Sequence, residues 1–301
     1  MSEMLRATPV AIDQELINNL DNNMNSQATT QEQLSTGYTV NQPSDNPAVI
    51  GPVLSTNSLI NRTGQYIQNA NDGLSFLNQA NSAMNQVSQL LDEAKSLIVQ
   101  IGGPTAQMGT TSPPDQIAAQ LQGIVTNMLS LMNETYLGMP IFGGTAMSGS
   151  QAFDSSGNYQ GTSVPLLRTV APGTSIQATL VGSSVFGSGA TGIIGVLNKT
   201  ISDIQAGNYG TVQSTDQNAF DGVNNQIQTY GTTVGALYQA MQQAQQSATQ
   251  TQTVLKNQIS NLIDTNVAQA TTNLQQEQNT YQAALWAAAQ VNKYSLIQFV
   301  S

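Results

Sequence analysis

Apolar positions recur in steps of three and four over both ends of this 301-residue chain, and the rhythm breaks down in its middle. Leu77, Ala80, Met84, Val87, Leu91, Ala94, Ile98 and Ile101 keep the 3.5-residue period that holds one stripe against a partner helix. Val223, Ile227, Tyr230, Val234, Leu237 and Met241 repeat it. Ile263, Val267, Ala270, Leu274, Glu277, Tyr281, Ala284, Ala288 and Val291 continue it, with Glu277 the single charge in those slots. Nearer the start, Ile12, Leu16, Leu20 and Met24 sit at four-residue steps on a body of Asn and Gln, which predicts a helix from about Pro9 to Leu34. So narrow a stripe does not offset the ordering entropy of a lone helix, so this segment is expected to be disordered in the free chain and to fold on assembly. In the last turns Leu285, Trp286, Val291, Tyr294, Leu296, Ile297, Phe299 and Val300 are apolar around most of the helix. Such a helix needs burial on every side, in the chain's own core or, on the stronger reading, among neighbouring copies.

The punctuation between these stretches places the other elements. Ser35-Thr36-Gly37 ends the first helix, and Asn41 to Pro47 is a turn cluster in which Asn46-Pro47 makes a good cap and first helical position. Gly51-Pro52 means that either the first turn kinks or regular helix begins at Pro52. Helical pattern then runs to about Ile101, a rod on the order of 75 Å. Gly102 to Pro114 reads as a loop and Asp115 to about Thr135 as the next helix, striped by Ile117, Leu121, Ile124, Met128 and Leu131. From Gly138 glycine and serine punctuate alternating runs such as Val164 to Val170 and Ser175 to Val181, and Ile193 to Ile204 looks helical. After Gly207 to Gly210 the C-terminal helical region begins, with a candidate break near Thr249 to Thr253. The expected fold is mainly α: a long antiparallel helical coiled-coil bundle built from both termini, with a small β-rich domain inserted in the middle. The expected domains are a terminal coiled coil from 1–45 and 265–301, a helical rod from 46–137 and 205–264, and the insert at 138–204.

Charge narrows the functions open to such a chain. Seven basic residues against 17 acidic ones give a formal charge of -10, with the basic residues scattered singly, which argues against nucleic acid and against an anionic membrane surface as partners. Only 8% of residues are charged, and Gln, Asn, Ser and Thr cover the helix surfaces instead. That composition suits lateral packing of subunits, since amides cost less to desolvate than ions. It equally suits an acid medium, and the sequence leaves both readings open. No signal-peptide pattern or membrane-length apolar run is present, so neither Sec export nor anchoring is expected, and a cytoplasmic location is the plain reading from that feature alone.

Candidate chemistry is sparse. The chain has no histidine and no cysteine, which removes the commonest proton shuttle, disulfides and the usual metal-ligand clusters. Asp92 and Glu93 are adjacent on a helix, so they point about 100° apart and read as a solvated face. Gly187-Ser188-Gly189-Ala190-Thr191-Gly192 matches the G-x-G-x-x-G string, but the surroundings lack the repeated βαβ units a dinucleotide fold requires. A loop connection is the better account. No enzyme activity, catalytic residue, cofactor or metal is expected.

The stretch Leu34-Ser35-Thr36-Gly37 through Pro43-Ser44-Asp45-Asn46-Pro47-Ala48 resembles the N-terminal signature of the flagellin superfamily, with Asn46 in place of the expected second acid. Ile263-Asp264-Thr265-Asn266-Val267-Ala268, Tyr281-Gln282-Ala283-Ala284-Leu285 and Ser295-Leu296-Ile297-Gln298-Phe299 look like the family's closing helix. Within the superfamily, Pro43, the Phe142-Gly143-Gly144-Thr145 run and Tyr159-Gln160-Gly161 are similar to its hook–filament junction branch, with filament flagellins the runner-up. The resemblance implies a bacterial flagellar subunit that leaves the cell through the flagellum's own type III apparatus. It also implies a disordered N-terminal export region, a dedicated export chaperone towards the C-terminus, self-assembly in a ring, and contact with a neighbouring hook-associated protein and flagellin. The expected assembly interface is Leu16, Leu20 and Met24 with Leu274, Tyr281, Leu285, Trp286, Val291, Leu296 and Phe299. The competing class is a soluble cytoplasmic coiled-coil adaptor.

Overall fold

The computed structural model describes residues 4–102, 114–146 and 149–300, with side chains described for 14–101, 114–146 and 149–290. Among these described residues eight α-helices and four short strands follow one another: α1 Met4–Thr36, α2 Pro47–Gly102, α3 Pro114–Met132, β1 Thr135–Tyr136, β2 Met139–Pro140, β3 Leu167–Ala171 and β4 Thr174–Gln177. Then come α4 Gly182–Phe186, α5 Ile193–Gln205, α6 Tyr209–Thr211, α7 Gln217–Ile263 and α8 Val267–Val300, with a 3-10 turn at Gly189–Thr191 and a π turn at Val212–Asp216. The mainly helical fold with small two-stranded sheets in its middle is the one expected. The predicted loop between Gly102 and Pro114 falls on residues 103–113, outside the described ones.

The chain divides into two compact units, Asn61–Gln252 and Met1–Ile60 with Thr253–Ser301. In the first of these, Leu77, Ala80, Met84, Val87, Leu91, Ala94, Ile98 and Ile101 are all buried, so the predicted seam is the spine of the core. Its partner is α7. Asn71 Oδ1 accepts from Gln245 Nε2 at 2.8 Å, Lys95 Nζ meets Asp221 at 2.8 Å, and a Cβ on Gly73 would overlap Met241 Cε. Residue numbers fall along α7 as they rise along α2, so the two helices pair antiparallel. Ile227, Val234 and Met241 of α7 are fully buried, while Val223, Tyr230 and Leu237 are half-buried at its margin. α3 and α5 complete the core with Leu121, Met128, Ile193 and Leu197.

The middle segment is fastened to this core by side chains. Asn133 gives an amide hydrogen to the Phe153 carbonyl at 2.9 Å and accepts the Phe153 N–H at 2.8 Å, imitating a strand partner. Phe142, Phe153 and Phe186 stack edge to face, with centroids 4.9 Å and 5.9 Å apart. A side chain on Gly182 would press on both the Phe153 ring and the Phe142 carbonyl. β3 and β4 form a hairpin with a bulge between Thr169 and Ala171, and Arg168 Nε reaches Asp72 of α2 at 2.6 Å while Asn69 Nδ2 donates to the Thr169 carbonyl at 2.8 Å.

Two local expectations are corrected, and one left open is decided. α7 runs unbroken through Thr249–Thr253: Ala248 packs buried, and the hydroxyls of Thr249 and Thr251 find acceptors in the carbonyls of Gln245 and Ser247, four residues back, without leaving the helix. α3 stops at Met132, and Thr135 belongs instead to β1. Of the two starts left open at Gly51-Pro52, the later one is not taken: α2 begins at Pro47, the first helical position read from Asn46-Pro47, and carries Pro52 inside it.

Candidate assembly interface

The second unit is built on α1 and α8, and its geometry begins at the place where the chain leaves and re-enters them. Gly37 ends α1 at φ 79°, its N–H bonded to the Gln33 carbonyl at 2.9 Å, a left-handed cap that a side chain would strain. Thr39 N–H then donates to the Ile263 carbonyl at 2.6 Å, Thr265 N–H to the Gly37 carbonyl at 2.8 Å, and Tyr38 bridges Asp264 antiparallel. Asp45 Oδ2 accepts the N–H groups of Asn41 and Gln42 at 2.9 Å and 2.8 Å, which folds the turn leading to α2. Asn266 accepts the Gln269 N–H at 3.2 Å and so caps α8.

From this clasp α1 and α8 pair antiparallel. Thr30 donates to Glu277 Oε1 at 3.1 Å, and the Tyr281 hydroxyl approaches Met24 Sδ at 3.7 Å. The second oxygen of Glu277 and the amide nitrogen of Gln27 are buried without a partner. The seam is shallow: among the described residues the one buried apolar side chain of this unit is Ala270. The seam read from Ile263 to Val291 is also interrupted, because residues 264–266 leave the helix and Val267, the first residue of α8, is 58% exposed.

Of the residues picked out from sequence, Leu16, Leu20, Leu274 and Tyr281 are half-buried. Met24 and Leu285 are exposed, and Trp286 is 76% exposed. The side chains of Val291, Leu296 and Phe299 lie outside the described ones. Sequence reading missed Ile17, Leu54, Leu59 and Val254, each an exposed apolar residue in this same unit. Their signal was an apolar residue off the stripe on an amide-rich helix, a pattern that periodicity alone discards.

Outside this unit, charged side chains tie elements together. Lys199 Nζ meets Asp203 of its own helix at 2.5 Å and the buried Asp216 of the π turn at 2.7 Å, tying α5 to the start of α7. Hydrogen bonds from Lys199 and Asn208 hold the Asp203 carboxyl below the usual aspartate range, and its two carboxylate partners, Asp203 first, hold Lys199 above the usual lysine range. The glycine-rich string folds back on itself: a Cβ on Gly187 would lie 2.6 Å from Gly192 Cα, and Gly189 N–H donates to the Gly157 carbonyl at 2.9 Å. Both sheets among the described residues are two-stranded and antiparallel, so the βαβ setting for a dinucleotide is not formed there. Among the described residues no group of three or more His, Cys, Asp and Glu could hold a metal ion, and no helix is long and apolar enough to cross a membrane.

Antiparallel helices drawn from both ends of the chain around a middle segment with little sheet define a helical building block. The helical region of bacterial flagellin N-termini matches residues 10–146, and that of flagellin C-termini matches residues 217–300. The chain belongs to the flagellin superfamily. It is 34% identical to a flagellin of Serratia marcescens over 118 residues, which are 38% of this chain and 31% of that protein. Flagellar hook-associated protein 3 of Salmonella typhimurium is 26% identical over 160 residues, 52% of this chain and 49% of the relative. These matches therefore span about a third to a half of the curated relatives. In fold the chain is similar to flagellar hook-associated protein 3 from Legionella pneumophila, with a TM-score of 0.60 at 11% identity over 70% of this chain and 98% of that one.

Proposed function

We propose that this chain is a structural subunit of the bacterial flagellum that joins hook to filament, and that it acts by assembly and not by catalysis. One observation carries the reading. Among the described residues, nine of the thirteen exposed large apolar side chains lie in the unit built on α1 and α8, although that unit is the smaller of the two. Apolar surface of that kind is covered by neighbouring copies in an assembly. Leu16, Leu20, Met24, Leu274, Tyr281, Leu285 and Trp286 form the assembly interface on this reading, with Val291, Leu296 and Phe299 extending it. Residues 1–45 with 265–301 are the segments that order on assembly, 46–137 with 205–264 the rod, and 138–204 the outward-facing insert. The subunit is exported through the flagellar apparatus with a chaperone on its C-terminal region, forms a ring outside the cell, and contacts a hook-associated protein and flagellin.

The similarity in fold to a hook-associated protein 3 supports the junction role, while the higher identity to a flagellin over a shorter segment favours the second reading, a filament subunit. Deleting the gene separates them. Hooks without filaments, with flagellin shed into the medium, is the outcome expected of a junction subunit; hooks carrying short or altered filaments is the outcome expected of a flagellin.

A further inference from the structure

The seam between α1 and α8 is polar where a helical pair is ordinarily driest. The covered stripe of α1 runs Leu16, Leu20, Asn23, Gln27, Thr30 and Leu34, and that of α8 runs Ala270, Leu274, Glu277, Tyr281, Ala284 and Ala288, both in steps of four and three. Leucines hold the two ends of the α1 stripe, and its middle is Asn23, Gln27 and Thr30. These meet Glu277. Thr30 donates to one carboxylate oxygen at 3.1 Å, and the Asn23 amide gives a hydrogen to the Glu277 carbonyl and accepts the Tyr281 N–H, each at 3.2 Å. Gln27 stands between Asn23 and Thr30 on the same stripe. Its amide nitrogen and the second Glu277 oxygen are buried with no partner, so both groups have lost water without a replacement, and the loss is greater for a carboxylate than for an amide. A groove of about 290 Å³, polar in every lining residue, runs beside Glu277, so close packing does not offset that loss there.

Polar layers in helical pairs commonly fix register, but here that task is already met. The backbone bonds from Thr39 to Ile263 and from Thr265 to Gly37 set α1 against α8 within a few residues of both helices. A layer kept for register would also be fully paired. What this one does is lower the stability of the pair.

We infer that Glu277 and Gln27 hold the α1–α8 pair below the stability it needs to close in the free chain, so that it closes only when neighbouring copies add burial. This rests on the reading that these segments order on assembly, and it names the residues that set the threshold. Leucine is close in volume to both side chains and has no polar group to desolvate. The Thr30 hydroxyl released by Glu277→Leu turns to the carbonyl four residues back, as Thr29 and Thr36 of the same helix already do.

The test compares three full-length chains at a concentration where sedimentation shows each to be monomeric: the wild type, Gln27→Leu/Glu277→Leu, and Asn25→Leu/Asn279→Leu. The last adds the same two leucines at exposed positions off the stripe. Proteinase K cleavage of the terminal segments is expected to slow about tenfold or more in the seam variant and to stay within about twofold of wild type in the control. The Asn61–Gln252 fragment should be equally resistant in all three, and helix measured by circular dichroism should rise in the seam variant alone. If the wild-type termini are cleaved readily and those of the seam variant as fast or faster, or if the control is protected as much as the seam variant, the layer is not the threshold while ordering on assembly stands. Wild-type termini as resistant as the core overturn both.

Discussion

At the scale of residues, glycines separate two kinds of position that look alike in sequence. Gly195 on α5 faces the Gly189–Ala190 backbone, with a built Cβ 2.6 Å from Ala190 Cα, so Gly195→Ala forces backbone apart and is expected to cost about 1–3 kcal/mol. Gly222 sits inside α7 with nothing within 4 Å of an added Cβ, so Gly222→Ala is expected to stabilise by about 0.5–1 kcal/mol. Urea midpoints for the two variants, moving in opposite directions, check this pair. Charge gives a second prediction. Asp203 is held below its ordinary range, so its contribution is present above the unfolded value and fades as pH falls below about 4. Lys199 is held above its ordinary range, so its contribution is present below the unfolded value and fades as pH rises through the folded one, above about 10.5. Lys199→Met should therefore flatten the melting-temperature profile at both extremes, and at neutral pH it should destabilise by leaving the buried Asp216 without its cation. None of this was visible in the chain as text. Lys199 and Asp203 stand at helical spacing, but Asp216 joins them only because a π turn brings it to α5.

At the scale of elements, legibility follows how dry the seam is. The α2 stripe was read correctly because eight apolar residues meet a continuous core, and burial enforces the same period that the sequence displays. Where burial is slight, period and packing part company. The stripe drawn through Ile263 and Val267 crosses a three-residue break, and the Thr249–Thr253 run looked like a breaker although its hydroxyls are absorbed by the helix itself. Leu137 was illegible for a different reason: the Leu137-Gly138 turn that joins the paired Tyr136 and Met139 carries Leu where Asn, Asp or Gly is usual, so Gly138 alone gives a weak hairpin signal. The difference between the seams is testable. Leu91 is fully buried, so Leu91→Ala should cost about 2–5 kcal/mol in equilibrium unfolding. Leu20→Ala on α1, half-buried, should leave that transition within about 0.5 kcal/mol of the wild type and show its effect in assembly instead.

At the scale of the whole molecule, the two units differ in what they offer to stability. Among the described residues nearly every buried apolar side chain belongs to Asn61–Gln252, while the unit of α1 and α8 contributes Ala270. Helical pairing with so little apolar burial among the described residues sets little against the cost of ordering its backbone, roughly 1–2 kcal/mol per residue, and the proposed assembly would have neighbours supply the rest. On that proposal the backbone clasp at Gly37, Thr39, Ile263 and Thr265 is where the dependence begins, because it bonds the chain on both sides of the pair. Limited proteolysis of the free chain should therefore remove about the first 40 and last 35 residues and leave a protected fragment between them. Circular dichroism should then show helix gained on assembly. The single tryptophan makes the same transition visible without a label, since Trp286 is 76% exposed: its emission should be red-shifted and readily quenched by iodide in the free chain, and blue-shifted and shielded once copies associate. Equal protease protection along the whole free chain, with Trp286 emission unchanged between free and associated forms, would place the order of α1 and α8 within the single chain and remove the coupling of folding to assembly.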